Sequence, residues 1–180
     1  MKPATKRLLR AKAALKSRRG RGQGVNRLVI LAVALWSGMA AAATLTIRAS
    51  VIDGDTLELA DGKRVRLWGI DAVEGSQVCR RDGEPWRCGD DATAALRRLI
   101  GGRKLACEAR EVDRYGRVVA VCRMDGADIA AELVRQGWAL DYEGYSGGAY
   151  ADEQKAAWAE RAGLWAGEFV APWEWRKAQR

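Results

Sequence analysis

Two alternating apolar runs folded about one dipeptide constrain this chain more than any other feature. In "DTLELADGKRVRLWGI", Leu57 and Leu59 alternate before "ADGK", and Val65 and Leu67 alternate after it. Strand side chains point to opposite faces at every second residue, so each run presents one apolar face. Asp61-Gly62 between the runs is a strong hairpin signal, because tight hairpin turns need residues that tolerate positive φ. The chain is thereby committed to an antiparallel sheet. Its lead-in, "VIDGDTLEL" (residues 51–59), sets Asp53, Gly54 and Asp55 among apolar residues. Two carboxylates astride a glycine in such a segment make either a turn or a site.

The remaining elements arrange themselves around that hairpin. "TLTIRASVI" (residues 44–52) alternates as a strand, and "KLACEAREVDRYGRVVAVCRM" predicts a second hairpin with residues 113–116 at its tip. "GSQVCRRDGEPWRCG" is polar and Gly-rich, a loop that needs a disulfide to be ordered. "DDATAALRRLIGG" carries Ala92, Ala95, Leu96, Leu99 and Ile100 at helical spacing and stops at Gly101-Gly102. "GADIAAELVRQGWAL" and "AYADEQKAAWAERAGLWAG" predict two further helices, ending at Gly137 and Gly163. The tail "PWEWRKAQR" shows no periodicity. About five strands, one inserted helix and two later ones predict a mainly β fold with helices, a small closed or partly closed barrel. Trp68, Trp138, Trp158 and Trp165 are read as core residues.

The formal net charge of +8 suggests an anionic partner, but its distribution undoes that reading. Up to residue 52 there are eleven Lys/Arg and no acid; from Asp53 onward twenty Lys/Arg face twenty-three Asp/Glu. Any anion site must therefore be built from local arginines. The basic opening runs into "LVILAVALWSGMAAAAT", an apolar run from Leu28 to about Trp36 and then small residues through Ala43. That pattern predicts a secretory signal over residues 1–43, ahead of one domain over 44–180, and export to a periplasmic or extracellular space. The run is short against the roughly 20 residues of a spanning helix. Because the basic segment is long, an uncleaved membrane anchor is the alternative.

Export fits four cysteines, an even number suited to an oxidising compartment. Cys107 and Cys122 lie symmetrically about "DRYG", so the second hairpin would set them opposite each other. Cys79 and Cys88 would then close a short loop. Of three open connectivities these two local bridges, Cys79–Cys88 and Cys107–Cys122, are the expected ones. A zinc site is disfavoured, since there is no CxxC spacing and no histidine. The missing histidine also removes Ser-His-Asp and Cys-His triads and histidine-pair RNA cleavage. Chemistry here must use carboxylates, arginines, lysines, tyrosines or a metal held by oxygen.

Asp53, Asp55, Arg66, Asp71 and Glu74 lie in the first hairpin and its exit, and Arg117 leaves the second hairpin's tip. Pairing about Asp61-Gly62 brings the strand of Asp55 beside that of Arg66, and Asp71 and Glu74 can return to the same end. Converging carboxylates without imidazole or thiolate suit a hard cation, Ca²⁺ or Mg²⁺. Two arginines nearby would clamp a phosphate, because the planar guanidinium meets its oxygens with paired hydrogen bonds. Each residue also has a plainer reading. Asp53-Gly54 makes an ordinary turn or bulge; Asp71 and Glu74 have capping-box spacing, although Gly75 makes a helix there doubtful. Arg66 snorkels into solvent, and Arg117 is a turn residue. Arg114 and Tyr115 suit solvent as well as substrate.

Their joint order is more specific than any one of them. "VIDGDTLEL", "VRLWGIDAVE", "DRYGRVVAVC", "LVRQGWA" and "GLWAG" together resemble the thermonuclease family, the staphylococcal nuclease-like Ca²⁺-dependent nucleases, over about residues 46–175. The closing "PWEWR" is common among exported bacterial members. The resemblance implies an OB-type barrel of five strands packed with three α-helices. It implies that Asp55 and Asp71 ligate Ca²⁺ with their carboxylates and Ala72 with its backbone carbonyl, with Asp53 in support. Glu74 matches the general base, and Arg66 and Arg117 the two phosphate-holding arginines; Arg114 and Tyr115 stay candidate substrate contacts from their place at the tip. "DAVE" departs from the family's D-[TA]-P-E. Ala72 keeps the carbonyl ligand, while Val73 in place of proline frees φ and leaves Glu74 less firmly aimed.

The implied activity is hydrolysis of DNA and RNA at the 5′ P–O bond, leaving 3′-phosphates, with single strands preferred and the protein acting as a monomer. The alternative is a nucleic-acid-binding module on the same barrel with weak or lost catalysis.

Overall fold

In the computed structural model, which describes residues 44–180, the chain reverses at Asp61-Gly62 as the alternation requires. Gly62 takes a φ of 79°, and Leu57 stands opposite Val65 with Thr56 opposite Arg66. The signal or anchor expected over residues 1–43 lies outside the described residues. Among the described residues no helix is long and apolar enough to cross a membrane.

In chain order the elements are β1 (Thr44–Ile47), β2 (Ala49–Val51), β3 (Thr56–Leu59), β4 (Arg64–Leu67), β5 (Ile70–Ala72), β6 (Cys79–Arg81), β7 (Glu84–Trp86) and α1 (Cys88–Ile100). There follow β8 (Leu105–Val112), β9 (Val118–Met124), β10 (Ala127–Asp128), α2 (Ile129–Arg135), β11 (Ala139–Asp141), α3 (Glu143–Ser146), α4 (Ala151–Ala159) and α5 (Pro172–Ala178). The main sheet runs β1-β8-β9-β4-β3-β2, all antiparallel except β4 beside β9. Its two end strands are neighbours in sequence, separated by Arg48 alone. A sheet whose opposite edges are joined through one residue must curl back on itself. The expected single strand over residues 44–52 is therefore a bent one, whose halves pair with β8 and β3. Counted as one strand, it makes five with β3, β4, β8 and β9, and the expected OB-type barrel stands.

Apolar faces of β3, β4, β8 and β9 fill the barrel, where Leu57, Leu67 and Leu105 are fully enclosed. α1 closes one side through Ala95, Leu96 and Ile100, and ends where Gly101 turns left-handed. α2 begins at Asp128, whose carboxylate accepts the Ala130 and Ala131 N–H groups. The helix expected to end at Gly163 is shorter: α4 stops at Ala159, and a 3₁₀ turn follows over Gly163–Ala166. α3 and α5 add to the three helices expected. α5 sits in the tail that shows no periodicity, because seven residues give fewer than two complete turns. Pro172 occupies its first turn, where the missing N–H costs nothing. Trp158 is 64 % exposed, so the core reading fails for it; Trp68 and Trp138 do pack against the core.

Both expected disulfides are formed. Cys107 and Cys122 face each other across β8 and β9, and Cys79–Cys88 ties the β6–β7 hairpin to the start of α1. The second bridge belongs to a small apolar cluster with Val73, Ala92 and Leu164. That cluster lies beneath the segment carrying Glu74.

Candidate active site

Asp53-Gly54-Asp55 is a turn that builds a site. The Asp53 carboxylate accepts the N–H of Asp55 at 3.1 Å, and the Ile52 N–H reaches the Thr56 carbonyl at 2.9 Å. Gly54 is required by closeness, since a Cβ there would stand 2.7 Å from the Ala72 Cβ and 3.2 Å from that of Ala92. Without the side chain, the lead-in to β3 settles against β5 and α1. Asp55 is thereby brought under the barrel rim beside Asp71.

Both carboxylates are buried, Asp55 at 4 % exposure and Asp71 at none. Arg66 spans them because the β3–β4 register sets it opposite Thr56. Its Nη1 donates to Asp55 Oδ1 at 2.8 Å and its Nη2 to Asp71 Oδ1 at 2.6 Å. This is an arginine committed to two acids, and the solvent-exposed reading of it falls. Asp55 Oδ1 also accepts the Thr56 hydroxyl at 3.0 Å, and Oδ2 accepts the Ala72 N–H at 3.0 Å. Burial pushes the Asp55 carboxyl up to about 6, helped by the charges of Asp53 and Asp71 and opposed by Arg66 and the Ala72 N–H. For Arg66 burial works against the charge, and the two acids outweigh it, so its pKa is raised.

Asp71 lies in β5 and no helix follows it directly, which removes the capping-box reading. Gln77 secures the Glu74 backbone from both sides, accepting its N–H at 3.3 Å and donating to its carbonyl at 2.8 Å. The Glu74 carboxylate accepts Arg176 Nη1 at 2.7 Å. Arg176 also grips Asp71 at both oxygens, at 3.1 and 2.7 Å. Burial opposes its charge too, and the hydrogen bonds it donates to Asp71 and Glu74 raise its pKa regardless.

At the second hairpin tip Asp113 organises the turn. One oxygen accepts the N–H groups of Tyr115 and Arg117 at 2.9 and 3.0 Å, and the other takes the Arg117 Nε at 2.7 Å. Burial works against its charge, but Arg117 holds the Asp113 carboxyl below its ordinary range. Arg117 is thus both a turn residue and a guanidinium fixed in place. Arg114 and Arg117 flank the exposed Tyr115 ring at 5.3 and 5.4 Å.

One cavity of about 760 Å³ is bordered by Asp53, Asp55, Arg66, Ala72, Glu74, Arg114, Tyr115 and Arg117, and the fully buried Asp71 is bonded to Arg66 and Arg176 on its border. Every site residue named from the motifs is therefore brought to one place. Arg64, Tyr142, Tyr145, Arg176 and Arg180 also border it, and sequence reasoning missed them. Trp173 and Arg176 are three apart in α5, which sets them on one helix face. That spacing was the available signal, with Pro172 marking the helix start.

The donor set is one of hard oxygens. Among the described residues no group of three or more His, Cys, Asp and Glu is arranged to hold a metal; guanidinium groups stand between the acids instead. A carboxylate offers four lone-pair sites, and three are engaged on each of Asp55 and Asp71. Each keeps one at its Oδ2 among the described residues. Two buried acids with an acceptor site left over fit a hard cation in chemistry.

Comparison with known proteins identifies relatives of this chain. The family model described as staphylococcal nuclease homologue matches residues 64–167. The chain is 40 % identical to the succinoglycan biosynthesis protein ExoI of Rhizobium meliloti, over 76 % of this chain and 73 % of that one. It is 34 % identical to an uncharacterized endonuclease of Escherichia coli, over 70 % of this chain and 80 % of the relative. A probable staphylococcal-like nuclease of Oryza sativa subsp. japonica is 35 % identical over 68 % of this chain, which spans only 35 % of that longer protein. Barrel, motif order and matched span agree: the chain belongs to the staphylococcal nuclease homologue family.

Proposed function

We propose that this nuclease is Ca²⁺-dependent and cuts DNA and RNA at the 5′ P–O bond, leaving a 3′-phosphate and a 5′-hydroxyl. The observation that carries the reading is the meeting of two buried carboxylates, two site arginines and one partly exposed glutamate at a single cleft. Asp55, Asp71 and the Ala72 carbonyl would hold the ion. Ala72 turns its N–H away from β11 and toward Asp55, and a strand residue's carbonyl points the same way as its N–H. When bound, the ion supplies fixed positive charge next to the scissile phosphate.

The chain's own groups do the rest. Arg66 and Arg117 take the phosphate oxygens on which negative charge grows, and removing one such donor costs about 10²–10³ in rate. Glu74 accepts a proton from the attacking water, whose oxygen bonds to phosphorus as the bond to the 5′ oxygen breaks. The departing oxygen takes up a proton and leaves as a hydroxyl. Glu74's position matters more than its basicity, since an ordinary glutamate is a weak base. Tyr115 and Arg114 at the rim suit a single strand, whose bases stack on aromatic rings whatever their sequence. Export after loss of residues 1–43 and action as a monomer complete the proposal.

The test is digestion of single- and double-stranded DNA by the purified protein, with Ca²⁺ or with chelator. Cleavage with Ca²⁺ alone is expected, and equal cleavage under chelation would sink the metal role. Glu74→Gln should lose about 10²–10⁴ in rate while still binding DNA. Unchanged cleavage by that variant would remove Glu74 from the mechanism.

A further inference from the structure

Arg176 comes from α5, 102 residues after Glu74 and 105 after Asp71, yet it joins their carboxylates. Its Nη1 donates to Glu74 Oε1 at 2.7 Å and Asp71 Oδ1 at 3.1 Å, and its Nη2 donates to Asp71 Oδ2 at 2.7 Å. Two carboxylates this close repel each other, and the shared guanidinium offsets that repulsion. The segment delivering it is fastened at two other points. Gln77, which holds the Glu74 backbone, also donates its Nε2 to the Val170 carbonyl at 2.7 Å. The Trp173 ring stacks on Tyr142 at 5.4 Å with planes 17° apart. The same C-terminal segment thus secures the backbone of Glu74 through Gln77 and its carboxylate through Arg176.

Glu74 needs that help. It lies outside regular structure, between Val73 and Gly75, and among the described residues its carboxylate has Arg176 as its hydrogen-bond partner. A glutamate on such a segment has several rotamers to choose from, of which few would meet a water at the phosphate.

We propose that Arg176 is a positioning residue of the nuclease site, holding the Glu74 carboxylate beside Asp71 in the orientation that takes the water's proton. It acts through Glu74 without touching the phosphate. The inference rests on the general-base role given to Glu74 above.

Steady-state kinetics on single-stranded DNA test it, using the wild type, Arg176→Ala, Arg176→Lys, Glu74→Gln and the double variant Glu74→Gln/Arg176→Ala. Melting temperatures are read alongside without metal. Arg176→Ala should lower kcat about 10–100-fold with KM changed less than about threefold, the signature of lost orientation. Arg176→Lys, which keeps a charge but not the fork, should fold as the wild type does and recover part of that loss. The double variant should be no slower than Glu74→Gln, because Arg176 has nothing left to orient. A wild-type or faster Arg176→Ala beside a dead Glu74→Gln overturns this inference alone. So does a loss confined to KM, or a double variant whose losses multiply, either of which makes Arg176 a phosphate contact. Glu74→Gln cleaving at the wild-type rate overturns the general-base reading, and this inference with it.

Discussion

Replacing Asp55 with asparagine should improve the stability of the metal-free protein relative to the wild type as pH rises from acidic to neutral. Burial, with Asp53 and Asp71 close by, raises the Asp55 pKa from an ordinary 3.8 to about 6, against the pull of Arg66. The folded chain therefore holds this proton more tightly than the unfolded chain does. By linkage, stability falls as pH rises between these two values, and the loss is complete above the folded pKa. About two units at 1.4 kcal/mol each put that loss at about 3 kcal/mol. The amide has the shape of the protonated acid and does not titrate in this range. The stability difference between wild type and Asp55→Asn should thus be flat below about pH 4. It should then move in the variant's favour by about 3 kcal/mol by pH 7. Urea unfolding of chelator-treated protein from pH 4 to 8, followed by tryptophan fluorescence, measures it. A pH-independent difference, or a wild type that gains on the variant as pH rises, would refute the argument. The first result would mean that pairing with Arg66 balances burial, the second that it outweighs burial. Added Ca²⁺ should stabilise the wild type at neutral pH more than the variant, which keeps Asp71 and the Ala72 carbonyl but has lost one charged ligand.

Two further outcomes concern the support beneath Glu74. A Cβ on Gly89 would stand 2.0 Å from the Glu74 carbonyl oxygen and 2.6 Å from that of Gly75, both backbone atoms. Gly89→Ala should therefore cost about 1–3 kcal/mol in calorimetry and lower kcat; wild-type values for both would show that α1 does not set the Glu74 backbone. Replacing Cys79 and Cys88 by serine opens a loop with a sequence separation of 9 and should cost about 3 kcal/mol. Measured well below its melting point, that variant should lose more activity than the Cys107→Ser/Cys122→Ser pair, whose bridge lies across β8 and β9; equal losses would count against a site role for the Cys79–Cys88 bridge.

The sequence by itself determined the parts of this protein that depend on neighbours along the chain. Alternation about Asp61-Gly62 sets the β3–β4 register, and that register alone puts Arg66 opposite Thr56, one residue from Asp55. Symmetry about the second tip likewise places Cys107 against Cys122. Short, ordered motifs were enough to name Asp53, Asp55, Arg66, Glu74, Arg114 and Arg117 at the cleft, though not Arg64, which the first hairpin also brings there. Tertiary structure decided what no local period encodes. The bend at Arg48 exists because a curled sheet has to close on itself. Trp158 points to solvent although its residue type suggests core. The depth of Asp55 and Asp71, and hence the raised Asp55 pKa, follows from Gly54 fitting against Ala72 and Ala92. Arg176 reaches Glu74 across 102 residues on a helix of seven, too short to show a stripe. Periodicity reports which face of an element is apolar; which charge meets which is settled only when distant elements pack and their buried polar groups need partners.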